Sequence, residues 1–449
     1  MNFSAVQKIG LAQWSPNGKY LAVVDKNRVL VRAAETLGDL MQVYVCVDKV
    51  TRLEWSSSSD FILAEVARAG VVQVWHAEES AWQCRIDEGL AGVAFASWGI
   101  SSRHVFVVAD FQLHLSVWDI QDRNAPLRIR YPKFAGRGLA FSHSKRWFAL
   151  LRRVDCRDRV AVHLASGDFA KVSDFIVQGD FQAIVWTQMD SCILLWERPS
   201  ASARFMWYAP NGQMLQQVEQ CGLLRFALPS ASAQLIAAGC IDGRLRIIDT
   251  SDKKVISILD HNLPACLSEC TEGEEPEVLR EERVGVGAEV QVPRYMQISK
   301  LKSVKVPEEK VSAERCKVDS LGAPCLGVSE VQWSPDARYV ATQHEAMPTA
   351  VWVWDIGHLR LCALLLHSSP VRSFGWDPTG WQLGNAARLA ITTASSEVFV
   401  WSAKGRALAA RSPLSMARLQ WCSTGRQVLL QEGGRGCILS IAAQDDSEN

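Results

Sequence analysis

Long apolar runs are absent from this chain. No stretch approaches the roughly 18 consecutive apolar residues of a membrane-crossing helix. The opening MNFSAVQKIGLAQWSPNG lacks the basic head and apolar centre of a secretory leader, so none is expected. Excess charge is absent too. Lys plus Arg and Asp plus Glu each number 48, and a net charge of zero gives no bulk support for nucleic-acid binding. The 13 cysteines follow no regular spacing and are odd in number, which reads as reduced thiols in a cytosolic protein rather than a disulfide framework. The common catalytic signatures are also missing. There is no G-x-x-x-x-G-K-[ST], no helix-opening G-x-G-x-x-G, no H-E-x-x-H and no G-x-S-x-G. No catalytic residue, cofactor or metal is therefore expected.

What the chain has is a repeat. Glu330 to Ile356 shows its grammar: a short strand ending in Trp333, a turn SPDAR, a second strand YVAT, and a third, AVWVWDI, ending in Trp354-Asp355. Pro335 presets the turn's backbone angle and Asp336 can bond its own backbone. The same grammar opens at Trp14, Trp55, Trp98, Phe141, Trp186, Phe226, Trp333, Trp376 and Trp421. Apart from one long break after Phe226, these nine anchors recur about every 40–45 residues, the period of WD-repeat propeller blades with four strands per unit. Third strands such as LHLSVWDI and EVFVWSA are alternating or nearly all apolar, as expected of strands covered on both faces. The 17 tryptophans are expected to be core wedges rather than a base-stacking platform.

The expected fold is an all-β WD-repeat β-propeller, one closed ring of nine divergent blades, with eight blades plus an irregular unit as the rival. The ninth unit has no fourth strand of its own, since only AAQDDSEN follows Ile441. Residues 3–9 precede the first unit as a spare strand and are expected to complete the last blade, removing an open sheet edge. The propeller then comprises residues 1–260, with six units, and 325–449, with three. Between them lies a charged insertion, 261–324, acidic in its first half and basic in its second, with few aromatics and several prolines. Its middle, about 271–310, is expected to be exposed and flexible.

Three clusters were weighed as sites. His261, Cys266 and Cys270 fit no standard zinc spacing. His104, Asp110 and His114 are close in sequence, but loop and strand-face positions account for them. The third is basic: between residues 122 and 159 arginines and lysines far outnumber acids. Arg137 lies just before the fourth unit's first strand, and Arg152, Arg153, Arg157 and Arg159 lie in and beside the turn joining its second and third. These connections emerge on one face of a propeller. The five arginines are the candidate site for an acidic partner, with Asp155 and Asp158 offsetting part of the charge.

Several stretches are more specific than a generic repeat: WSPNGKYLA (14–22), GVVQVWHAEESAWQCRIDEGLAG (70–92) and AVWVWDIGHLRLCALLLHSSPVRSFGWDP (350–378). With the opening MNFS and the insertion before VQWSPD, they make the chain resemble the WDR-eight, WRAP-type family of WD-repeat proteins. Trp14, Trp118, Asp119, Trp333, Trp354 and Asp355 are the blade-structural positions; only Trp118-Asp119 and Trp354-Asp355 keep the full dipeptide, and the usual Gly-His is missing. The resemblance implies a non-enzymatic scaffold in the cytoplasm and cytoskeleton, at centrosome, spindle pole and basal body. It implies a coiled-coil anchoring partner, and in yeasts a minus-end kinesin, with which the scaffold anchors microtubule minus ends and supports spindle and cilium assembly. Neither membrane nor nucleic acid is an expected partner. The alternative reading is an RNA- or translation-associated propeller, which the basic cluster would support. An enzyme with a site in the central channel would need convergent titratable groups that no motif supplies.

Overall fold

The computed structural model describes the chain other than residues 35–37, 135, 198–201, 222–223, 269–274, 287–289, 300, 302–303, 309–326, 380–385, 404–406 and 442–449. The described residues form nine sheets in sequence order, antiparallel save for one parallel pairing in the seventh, each containing one of the nine anchors. They are the blades of an all-β WD-repeat propeller. The chain divides into two compact units, and the division falls between the fifth and sixth blades rather than at the insertion. Blades one to five belong to Lys8–Pro199 with Ala203–Gln220; blades six to nine belong to Cys221–Asn449 with Met1–Gln7.

Each blade begins with a short strand that ends at the anchor, except the sixth, whose first strand, Leu224–Pro229, runs past the expected anchor Phe226 and puts Pro229 in the anchor's place before the turn serine Ser230. The turn that follows is closed twice. In the seventh blade the Ser334 N–H donates to the Tyr339 carbonyl (2.9 Å), and the Tyr339 N–H donates to the Ser334 hydroxyl (2.8 Å). Ser15, Ser56, Ser142 and Ser230 make the same hydroxyl contact with Tyr20, Phe61, Trp147 and Leu235. A serine in this place satisfies backbone groups that the hairpin cannot. The turn also needs one left-handed residue. Gly18 (φ 70°) and Gly425 (φ 67°) take that conformation without steric cost.

The anchors then join neighbouring blades. The Trp55 indole N–H donates to the Gln13 carbonyl (3.0 Å), one residue before the anchor of the preceding blade. Trp98 does so to Glu54, Trp186 to Ala140, Trp376 to Gln332 (3.0 Å) and Trp421 to Gly375 (2.8 Å). Trp333 reaches back to Leu228 (2.9 Å), so the sixth and seventh blades are joined despite the insertion between them. The two phenylalanine anchors rely on packing. Phe141 meets the Phe106 ring of the preceding blade edge-on at 5.2 Å, whereas Phe226 packs within its own blade, over its cross-strand partner Gly239.

In the ninth blade the fourth position is taken by Asn2–Phe3, paired with Ser440 and Leu439. Ser4 extends the contact, exchanging hydrogen bonds with Ile438 at 2.8 and 2.9 Å.

The insertion departs from its expected flexibility where it is described. Glu277–Val286 and Val290–Gln297 form an antiparallel hairpin. Its first strand pairs in parallel with Arg360–Leu366, from Glu277 opposite Ala363 to Arg280 opposite Leu366, making the seventh blade a six-stranded sheet. The expectation counted charges. The packing is decided by Val278 and Leu279, which point to opposite faces and are both buried. Tyr295 packs on Phe399 at 4.9 Å and its hydroxyl bonds His367 at 2.6 Å. The buried acid Glu281 is satisfied by the N–H (2.9 Å) and hydroxyl (2.6 Å) of Ser368. Residues 271–274, 287–289, 300, 302–303 and 309–310 of the segment expected to be flexible lie outside the described residues.

Removing an anchor's indole N–H while keeping an aromatic ring isolates the blade-to-blade bond. Trp421→Phe leaves the Gly375 carbonyl without this donor. It is expected to lower stability by about 2–4 kcal/mol, combining an orphaned carbonyl with a partial cavity. Chemical denaturation of wild type and variant at one pH measures it; a change below about 0.5 kcal/mol would deny the bond its role.

Candidate functional site

The fourth blade consists of Leu139–Phe141, Trp147–Val154, Arg157–Leu164 and Lys171–Val177. Its second and third strands are joined by a two-residue turn in which Asp155 and Cys156 are both left-handed, at φ 50° and 60°. That turn fixes the register: Arg152 lies opposite Arg159, Arg153 opposite Asp158 and Val154 opposite Arg157. Two arginines facing each other across a ladder repel. Asp174, on the fourth strand, resolves this by accepting from Arg152 (3.1 Å) and Arg159 (2.9 Å) together.

Arg153 is bound as well, to Asp158 (2.9 Å) and Asp180 (2.7 Å). Beneath it Lys133 is buried, its ammonium donating to Asp158, Asp180 and the Phe181 carbonyl. The Lys133 hydrogen bond, reinforced by Arg153, holds the Asp180 carboxyl below the ordinary carboxylate range. Asp158 also accepts the Phe181 N–H at 2.9 Å, so this network ties the fourth blade to the first strand of the fifth. The structure therefore splits the five candidate arginines. Arg152, Arg153 and Arg159 are engaged in ion pairs, whereas Arg137 and Arg157 are exposed, with no ion pair among the described residues. The backbone of Arg137 accepts the Ile184 N–H at 3.2 Å. Two of the neutralising acids, Asp174 and Asp180, lie beyond the 122–159 window in which charge was counted. Lys133 was counted as patch charge; only its buried position reveals its structural role.

The other named residues are structural. Asp119 and Asp355 end third strands and cap the turns that follow. Asp119 accepts the N–H groups of Gln121 (2.9 Å) and Asp122 (3.2 Å) and the Arg103 side chain (2.6 Å). Burial alone would raise its pKa, but these donors outweigh burial and hold it low. Asp355 accepts from Gly357 (3.0 Å) and His358 (3.3 Å) in the same way. Trp14 ends its strand buried. The Trp118 indole donates to Glu88, a buried acid that also bonds His114 at 2.9 Å. His104 bonds Ser101 at 3.0 Å and lies 3.7 Å from Asp119, so His104 and His114 serve separate contacts rather than one site.

His261, the first residue of the insertion, is buried and hydrogen-bonded through both ring nitrogens. Its Nδ1 bonds the Gly243 carbonyl (2.8 Å), and its Nε2 faces the Thr342 hydroxyl (2.8 Å), which also accepts the Trp354 indole N–H (2.9 Å). A carbonyl at Nδ1 requires a proton there, which leaves Nε2 to accept from Thr342. Both Trp352 and Trp354 meet the ring edge-on at 5.4 Å. Cys266 instead bonds the Asp260 carbonyl, and Cys270 lies outside the described residues. Among the described residues no group of three or more His, Cys, Asp and Glu is placed to hold a metal. The buried thiols are poor nucleophiles: burial pushes Cys46 up to about 12 and Cys437 to about 11.

Exposed apolar side chains gather on loops beside the turn of the fourth blade, and the sequence reading did not single them out. Phe111 stands in the turn between the second and third strands of the third blade and is 93% exposed. Tyr131, which follows that blade's fourth strand, is 48% exposed. The signal was a bulky aromatic at a turn tip, D-F-Q, where the first blade has D-K-N.

Two outcomes follow. Lys133→Met takes one cation from the buried carboxylate of Asp158, which keeps Arg153 and the Phe181 N–H, and is expected to cost about 1–3 kcal/mol, whereas Arg157→Glu should stay within about 0.5 kcal/mol, as read from denaturation midpoints. Burial, with the nearby His344, holds His261 down to about 3, and burial holds His367 down to about 4. Both are lowered from an unfolded value of about 6.5. Below that pH the unfolded chain takes up protons that the folded chain refuses. Stability is therefore full above pH ~6.5 and falls on acidification toward the folded values, by up to roughly 1.4 kcal/mol per pH unit for each histidine. His261→Gln should flatten the slope between pH 6.5 and 5; an unaltered slope would assign the acid sensitivity elsewhere.

Comparison with known proteins agrees with the architecture. No protein-family model matches the chain. The C-terminal WD40 domain of Sif2 superposes over 99% of this chain and 100% of its own, with a TM-score of 0.51 and 10% identity. A eukaryotic initiation factor superposes over 91% of this chain and 90% of its own, with a TM-score of 0.57 and 11% identity. At such identities these likenesses speak for the propeller fold alone. The sequence relationship is stronger. WD repeat-containing protein WRAP73 of Mus musculus is 33% identical over 416 residues, covering 90% of this chain and 87% of that protein. That match spans nearly the whole of both chains, and the chain belongs to the WRAP73-type family of WD-repeat proteins.

Proposed function

We propose that the chain is a non-enzymatic scaffold of microtubule-organising centres. At the centrosome, spindle pole or basal body it works with a coiled-coil anchoring partner, and in some cells a minus-end kinesin, to hold microtubule minus ends and support spindle and cilium assembly. The observation that carries this reading is the family relationship, 33% identity across 90% of the chain. The geometry suits such a role. Short turns on well-packed blades present loops at fixed positions, which is what a surface for protein partners requires. The RNA-associated alternative loses its main support, because Arg152, Arg153 and Arg159 are engaged by Asp174, Asp158 and Asp180.

The test is proximity labelling from the chain at its endogenous level in dividing cells, with imaging of the same tagged protein. The expected result is enrichment of coiled-coil and microtubule-nucleating components over a cytosolic control, with the tag at one or two foci per cell. A diffuse tag with ribosomal and translation proteins dominating the labelled set would replace this reading with the RNA-associated one.

A further inference from the structure

The exposed bulky apolar residues of the first five blades include a group on loops that touch one another. Leu90 is fully exposed in the loop that leads from the second blade into the third. That loop closes on the turn carrying Phe111: Gly92 is so near Asp110 that a Cβ there would stand 2.1 Å from its carboxylate. Two residues past Phe111, the carbonyl of Leu113 accepts the Tyr131 N–H (3.0 Å), and the Tyr131 carbonyl accepts the Arg153 N–H (3.0 Å). Contacts thus run from the loop of Leu90, through the Asp110 side chain and then backbone hydrogen bonds, to the hairpin that carries Arg157.

The backbone here is held in an uncommon conformation. Phe111, Gln112 and Tyr131 are left-handed, at φ 55°, 57° and 60°, and none is glycine. For bulky side chains that conformation is strained, and such strain gathers at binding sites. Burial does not explain it, since Phe111 and Tyr131 project into solvent instead of packing inside. The border is basic. Arg130 and Arg157 are exposed, and their side chains make no ion pair or hydrogen bond among the described residues. Arg153 remains 44% exposed above its carboxylates. Of the acids nearby, Asp87 pairs with Arg85, and Asp158 and Asp174 are bound as described above. Asp110 and Asp155 are left beside the arginines.

We propose that Leu90, Phe111, Leu113 and Tyr131, bordered by Arg130 and Arg157, form a docking surface for an acidic segment of a partner protein that carries bulky apolar side chains. The apolar side chains of the segment cover the aromatic and leucine floor, and its carboxylates pair with the free arginines. Aromatics and arginines together are the residues on which interface energy concentrates. The inference rests on the scaffold reading but not on the cellular location, so failure here leaves the labelling result untouched, and the reverse.

The test uses the full chain, immobilised, to select from a phage-displayed library of random peptides. The most enriched peptide is then synthesised with a fluorescent label and titrated by anisotropy. Enriched sequences are expected to combine Asp or Glu with Leu, Phe or Trp. The double variant Phe111→Ser, Tyr131→Ser should weaken binding by about tenfold or more, since hot-spot aromatics are removed. Arg157→Glu should weaken it several-fold and reduce its sensitivity to salt. Met189→Ser, at an exposed turn of the fifth blade, should leave it unchanged. Unaltered melting temperatures confirm that the variants fold. The proposal is overturned if no peptide is enriched, if enriched peptides lack acidic residues, or if the double variant binds as wild type does. It is equally overturned if the aromatic residues are needed instead for binding homopolymeric RNA, for binding anionic vesicles, or for self-association of the chain seen by sedimentation.

Discussion

The fold depends on a hydrogen bond made by the indoles of the anchor tryptophans Trp55, Trp98, Trp186, Trp333, Trp376 and Trp421. The first strand of a blade is an edge strand, so it presents backbone carbonyls that no ladder partner can reach. A carbonyl left buried without a donor costs about 1–3 kcal/mol. Trp55, Trp98, Trp186, Trp376 and Trp421 each deliver a donor to the carbonyl one residue before the previous anchor. The same side chain fills the space between blades and satisfies the edge. The period of about 40–45 residues follows, because the chain must complete one whole blade before it can present the next indole.

Inside the blades the same economy uses different residues. Several third-strand tryptophans bring an indole N–H onto an acceptor in the interior, although the buried Nε1 atoms of Trp207 and Trp352 find none among the described residues. In the seventh blade the acceptor is Thr342, held by His261. In the third it is Glu88, shared with His114, and in the eighth it is Glu277 of the insertion hairpin. Burial holds the His261 imidazole neutral, and the donors around Glu88 hold its carboxyl low against its burial.

The charged parts of the chain show how far composition can mislead. The run of arginines around residue 152 is basic in one dimension, but in the folded blade Asp174 and Asp180 meet it from the next strand and the following loop. The insertion is rich in glutamate, but Val278, Leu279 and Tyr295 decide its packing, and its acids Glu281, buried, and Glu277, half-buried, receive donors from Ser368 and Trp401. In both cases the partner is remote in sequence or lies outside any window that a charge count would use.

What the sequence by itself determined is the repeat: nine anchors, their period, the serine turns and the four-strand grammar. These depend on local contacts within one blade or on a fixed step to the next, so they leave a periodic trace that can be read without coordinates. Tertiary structure alone decided the rest. It chose which arginines are neutralised, made an ordered hairpin of the segment around residues 277–297, brought His261 to Thr342 across the insertion, and left Phe111 and Tyr131 in solvent. Each of those outcomes turns on whether a donor, an acceptor or an apolar face finds a partner far along the chain. Local patterning carries no record of such a partner until the strands are paired.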